Sequence, residues 1–96
     1  MAIRLVVTFQ ARKGMGKEYA DAFKPVRERT LAEAGCEQYE MFRSEADPDK
    51  LVLLERWTSA ELLDSHMVVL RSHGPMPTQP FGDSNVPPSF ERYEVE

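Results

Sequence analysis

Apolar residues fall into three runs of strand type and two of helical type before a long aperiodic stretch and a final alternating run. Ile3 to Gln10, rich in β-branched and aromatic residues, predicts a first strand, which Lys13-Gly14-Met15-Gly16-Lys17 breaks. From Lys17 to about Glu33, Tyr19, Phe23, Val26 and Thr30/Leu31 recur at helical spacing, with Glu18, Asp21, Lys24, Arg27 and Glu28 between them as a solvated face. Pro25 lies inside this helix, where it removes an amide donor and crowds the carbonyl four residues back, so a kink is expected near Asp21–Pro25. Gly35 stands where a left-handed cap is wanted.

A second strand is expected from Cys36 to Arg43, with Tyr39 and Met41 on one face and Phe42 on the other. Asp47-Pro48-Asp49 signals a turn. Leu51 to Trp57 follows as a third strand, apolar on both faces and antiparallel to the second, because the gap is too short for a crossover. Thr58-Ser59-Ala60-Glu61 has capping-box spacing with Thr58 as the cap, and a helix from Ser59 to about Arg71 should bury Leu62, Leu63, Met67 and Leu70. Gly74-Pro75 ends it. Residues 74–89 hold five of the seven prolines and no periodicity, which suggests a loop, a lid or an arm. Phe90 to Val95 alternates as a fourth strand. The order β-α-β-β-α-β is that of a ferredoxin-like α+β fold: a four-stranded antiparallel sheet with both helices on one face, in a single domain of residues 1–96. The other face of such a sheet is bare and partly apolar, which predicts a face-to-face homodimer.

Length and charge narrow the partners. A 96-residue domain has a thin core, which also favours dimerisation. A net charge of −4 counts against nucleic acid and membrane surfaces, and no apolar run approaches a membrane span. The opening run reads as strand, not as a leader, and a lone Cys36 fits a reducing cytoplasm.

The chemistry these residues could support is limited. One Cys and two His give no zinc pattern, and His66 and His73, seven apart on a helix, stand about 10 Å apart. Gly14-x-Gly16 lacks the third glycine of a dinucleotide site, and no Gly-x-Ser-x-Gly elbow occurs. His66 shares a helix face with Leu62 and Leu70 and should look toward the sheet, either as an acid or base near neutrality or as a half-buried histidine bonded to a neighbour. Glu55 and Trp57 share one face of the third strand; if that face meets the helices, Trp57 can reach His66 as a flat aromatic wall, or it is simply a core tryptophan. Glu55 in an apolar strand needs a partner: His66, or an Arg or backbone amide across a dimer. Phe9, Tyr19, Phe23, Tyr39, Phe42 and Phe81 complete the aromatic set. Tyr39 offers a polar handle, while Phe81 and Met76 lie in the proline-rich stretch, as in a lid closing on a hydrophobic ligand or an arm reaching the other subunit.

The chain resembles the antibiotic biosynthesis monooxygenase family of dimeric α+β barrels. The resemblance spans Ile3 to His66 and rests on Lys13-x-x-Gly16, Ala34-Gly35-Cys36-x-x-Tyr39, Asp47-Pro48 and, above all, Glu55-x-Trp57-x-Ser59-x-x-x-Leu63-x-x-His66. It implies a homodimer with a cavity in each subunit between sheet and helices, and cofactor-independent oxidation of a quinol or polyketide-like phenol by dioxygen. In that chemistry the substrate supplies the electrons, and the protein binds a phenol, takes its proton and shelters the anion. On this analogy His66, Trp57 and Glu55 form the catalytic set, with Glu55 paired to His66; Phe9, Phe23, Tyr39, His73 and Phe81 are the candidate substrate-binding residues, and no metal or cofactor is expected. Haem-degrading relatives carry an Asn on the first strand where this chain has Val7. The region after His66 departs most from the family pattern. Two other readings stand beside the oxygenase: a non-oxidative isomerase or cyclase on the same scaffold, and a hydrophobic small-molecule binding module.

Overall fold

Strands Ala2–Gln10 (β1), Cys36–Arg43 (β2), Lys50–Trp57 (β3) and Ser89–Val95 (β4) pair antiparallel in the order β2-β3-β1-β4. The helices Gly16–Leu31 (α1) and Ala60–Ser72 (α2) complete the expected β-α-β-β-α-β order in a computed structural model that describes all residues, Met1–Glu96. Alternation decides the layers. Ile3, Leu5 and Val7 on β1 and Leu53 and Trp57 on β3 are buried with Tyr39 of β2 against Phe23 and Val26 of α1 and Leu63 of α2. The register aligns these rows: Ile3 lies opposite Trp57, Leu5 opposite Glu55 and Val7 opposite Leu53.

The other face of the sheet has no helix over it. It presents Val6 opposite Leu54 and Thr8 opposite Val52 at its centre, Arg4 and Arg56 toward one end, and exposed Phe42 and Tyr93 toward its edges. The edge strand β4 is open to solvent on both faces along nearly its whole length.

The helix ends are set by contacts from elsewhere in the chain. At the start of α1 the amides of Gly14 and Gly16 both donate to the carboxylate of Asp49, at 2.8 and 2.9 Å, so the β2–β3 turn supplies the anion this terminus favours. Any side chain at Gly16 would run into the Pro48 carbonyl. α1 continues through Pro25, whose ring faces solvent. The cap of α2 is Ser59, not Thr58: Ser59 Oγ accepts from the Leu62 amide at 3.3 Å, while the Thr58 amide is held by the Gly35 carbonyl at 2.9 Å. Gly35 has φ +83°, and a Cβ there would strike Leu62 and Thr58, so the bend between α1 and β2 demands glycine twice over.

Residues 74–89 dock on the end of β1. The Arg12 amide donates to the Phe81 carbonyl and the Asp83 amide to the Gln10 carbonyl, both at 2.9 Å, around a short 3-10 turn at Gln79–Phe81. Thr78 is buried there. Phe81 packs against Ala11, Tyr19 and Leu51, which form a small second core.

Candidate active site

Alternation along β3 turns Glu55 and Trp57 toward the helices, and the third residue after Leu63 on α2 brings His66 down onto them. The imidazole stacks on the fully buried indole with ring centroids 4.7 Å apart and planes 30° apart. Tyr39 meets the imidazole edge-on at 5.4 Å and stacks on Phe23 at 5.6 Å.

The polar pairing differs from the expected one. Glu55 is not the partner of His66: its Oε1 accepts from Trp57 Nε1–H at 2.9 Å. His66 Nδ1 faces the carboxylate of Glu33, 3.1 Å from Oε1 and 3.2 Å from Oε2. The indole N–H, projecting from the same strand face two residues on, occupies one oxygen of Glu55 locally. The bend at Gly35 meanwhile carries Glu33 from the end of α1 back over α2. Glu33 escaped the sequence reading because its partner is 33 residues away; the available signal was a buried histidine in want of an acceptor.

Beside this cluster lies a cavity of about 170 Å³ whose walls are almost entirely apolar. Val7, Phe9 and Leu53 form its floor, Phe23 and Tyr39 one side, Met67 and Leu70 of α2 the roof, and Met76 and Phe90 the remaining edge. Glu55 and His66 are the two ionisable groups in its lining besides Tyr39. Of the predicted binding residues, Phe9, Phe23 and Tyr39 line the cavity, whereas His73 is exposed at the C-cap of α2 and Phe81 sits in the second core. Trp57 does not line the cavity; it supports Glu55 and His66 from behind. Phe90 was not anticipated, whereas Met76 belongs to the stretch expected as a loop, lid or arm. The pairing of Phe90 with Val7 across β1 and β4 brings the first in, and the docking of the proline-rich segment brings the second.

Burial sets the protonation behaviour. It pushes the Glu55 carboxyl up to about 7, against the stabilising bond from Trp57 and with help from the nearby Glu33 charge. It holds the His66 imidazole below its ordinary value, although Glu33 pulls the other way. Tyr39 is raised, first by burial and then by Glu55, and the Cys36 thiol is pushed up to about 11 for the same two reasons, so it is no nucleophile at neutral pH. His66 Nε2 and Thr30 Oγ1 are buried without a hydrogen-bond partner. No group of three His, Cys, Asp or Glu side chains converges as a metal site would require.

A sequence model of antibiotic biosynthesis monooxygenases matches residues 2–68. The chain belongs to the antibiotic biosynthesis monooxygenase family. Solved structures agree with this family's fold. A conserved protein from Methanosarcina mazei Go1 is 26% identical, with a TM-score of 0.85 over 100% of this chain and 94% of that one. A protein from Caulobacter crescentus CB15, named as a candidate antibiotic biosynthesis monooxygenase, is 22% identical, with a TM-score of 0.82 over 99% of this chain and 91% of that one. Another so named, from Nitrosomonas europaea, is 15% identical, with a TM-score of 0.81 over 98% and 89%. Among curated proteins, none matches the chain. The family match covers β1 to the middle of α2, which includes Glu33, Glu55, Trp57 and His66 but leaves Met76 and Phe90 outside it. The polar cluster thus lies within the matched stretch, while Met76 and Phe90, at one edge of the cavity, lie beyond it. No helix is long and apolar enough to cross a membrane.

Proposed function

We propose that this chain is a cofactor-independent monooxygenase that oxidises a quinol or polyketide-like phenol with dioxygen. The observation that carries the reading is the Glu55 carboxyl in an apolar cavity. One oxygen is tied to Trp57, the other is unpaired, and the proton affinity is poised near neutrality. A base of this kind takes the phenolic proton, and the dry aromatic walls exclude the water that would quench the anion. The phenolate gives electrons to dioxygen, a carbon–oxygen bond forms at a ring C–H position, and loss of water leaves the quinone. One oxygen atom enters the product, the other leaves as water, and the substrate supplies every electron.

The catalytic set is Glu55 as proton acceptor, His66 beside it and Trp57 as their support. The active unit is a cytoplasmic homodimer joined through the open sheet face, where Val6, Val52, Leu54, Phe42 and Tyr93 offer apolar surface. The test is oxygen uptake with a panel of quinols, using labelled dioxygen. Uptake with one labelled atom in the product, and kcat/KM rising with pH to a plateau above about 7, is the expected result. Turnover that continues without dioxygen assigns the site to isomerisation or cyclisation instead, and binding with no turnover assigns it to a carrier. Sedimentation at twice the 11.0 kDa chain mass tests the dimer.

A further inference from the structure

Two buried polar atoms in this interior have no partner, and one belongs to a ring that borders the cavity. With His66 Nδ1 turned to both oxygens of Glu33, the other ring nitrogen lies on the side away from that carboxylate. A carboxylate accepts and does not donate, so it selects the tautomer with the proton on Nδ1. Nε2 is then a bare lone pair, an acceptor for which the protein supplies no donor. An unpaired buried acceptor of this kind is expensive unless something from outside completes it.

We infer that Glu33 and His66 together build an acceptor subsite, at which Nε2 receives a hydroxyl hydrogen from a neutral, single-ring ligand. The inference rests on the proposed function for treating the cavity as a substrate site. Three observations define the ligand. About 170 Å³ holds one six-membered ring, close to the volume in which benzene is known to bind. The lining contains no Lys or Arg and does contain Glu55, so an anionic group on the ligand has nothing to neutralise it and one carboxyl to repel it. His66 Nε2 and the ionised Glu55 carboxylate are acceptors and the Tyr39 hydroxyl is the one fixed donor in the lining, so at Nε2 the ligand must bring the donor. Glu33 does not touch the ligand; it is a positioning residue that acts through the imidazole.

The experiment is equilibrium binding without dioxygen, read through the fluorescence of Trp57, the only tryptophan, which stacks on His66. Phenol, toluene and benzoate serve as probes, and nitrogen NMR of His66 reports its tautomer. The expected result is a protonated Nδ1 and a bare Nε2, with no detectable benzoate binding. In His66→Phe, which keeps a stacking ring, the phenol-to-toluene affinity ratio should fall about tenfold. In Glu33→Ala the imidazole should lose its fixed tautomer and the ratio should fall similarly. A proton on Nε2 in the parent chain, an unchanged ratio in His66→Phe, or benzoate binding as tightly as phenol overturns the inference. Because no turnover is measured, the two readings separate. A chain that binds in this pattern but never consumes dioxygen keeps the subsite and loses the oxygenase. A chain that consumes dioxygen with the tautomer reversed loses only the subsite.

Discussion

The space between sheet and helices is filled in two ways. At one end Ala11, Tyr19, Leu51 and Phe81 close on one another, with Phe9 tilted against Tyr19 at 5.7 Å. At the other, Phe23, Tyr39 and Leu53 stop short and leave a cavity beside Glu55 and His66. Both ends use aromatic and aliphatic side chains from the same strands and from α1. The difference lies in what covers them. The proline-rich segment presses Phe81 onto the first end, whereas α2 brings an imidazole over the second and its stacking on Trp57 holds the ring there. Aromatic residues alone therefore do not mark a site; a buried ionisable group with an unused atom does.

Substitutions at the two ends should separate activity from stability. The largest effect belongs to the cavity end. Glu55→Gln should lower kcat/KM with an accepted quinol by about 100- to 10,000-fold, the range for losing a positioned proton acceptor, while leaving the circular dichroism spectrum unchanged. Leu51→Ala at the packed end should do the reverse, lowering unfolding free energy by about 2–5 kcal/mol in denaturant titration with kcat nearly unaltered at a temperature where the variant is folded. If Leu51→Ala removes activity from a folded protein, the two ends are not independent.

The pH dependence of stability sharpens the contrast. Glu55 titrates near 4.5 when unfolded and near 7 when folded, so the fold favours its neutral form. That stability is fully present below 4.5 and is lost as pH rises through 7. Glu55→Gln stays neutral, so its advantage over the parent should grow between these two values, by up to about 3 kcal/mol, and then level off. Denaturation midpoints of the two proteins at pH 5 and pH 8 measure it. The smallest change is Ser59→Ala, which removes the cap of α2 and should cost about 1 kcal/mol, with faster amide exchange in α2 than around Leu51.

The backbone was largely legible in the sequence because each strand and helix carries its own period. The boundaries of β2 and the faces of Tyr39 and Phe42 follow from alternation alone. What alternation could not decide was which way Trp57 turns, since Leu51 and Leu53 on one face of β3 are matched by Val52 and Leu54 on the other. The pairings of Glu55 and His66 were out of reach for a different reason: each group had several partners in range by sequence, and only the path of the bend before β2 selects Glu33. Phe81 was misplaced because an aperiodic segment gives no face to read. Its position comes from backbone hydrogen bonds to the end of β1, which any residue types could make.

The left-handed glycine at position 35 has a reach beyond the turn it shapes. Two residues before it hangs the carboxylate that fixes the imidazole, and Leu62 of α2 rests directly on its bare Cα. The hydrogen bond that orients the cavity's imidazole thus depends on a bend that does not itself line the cavity. Tuning of such a pocket, whether by natural drift or by a protein engineer, has a handle on the outside of the molecule.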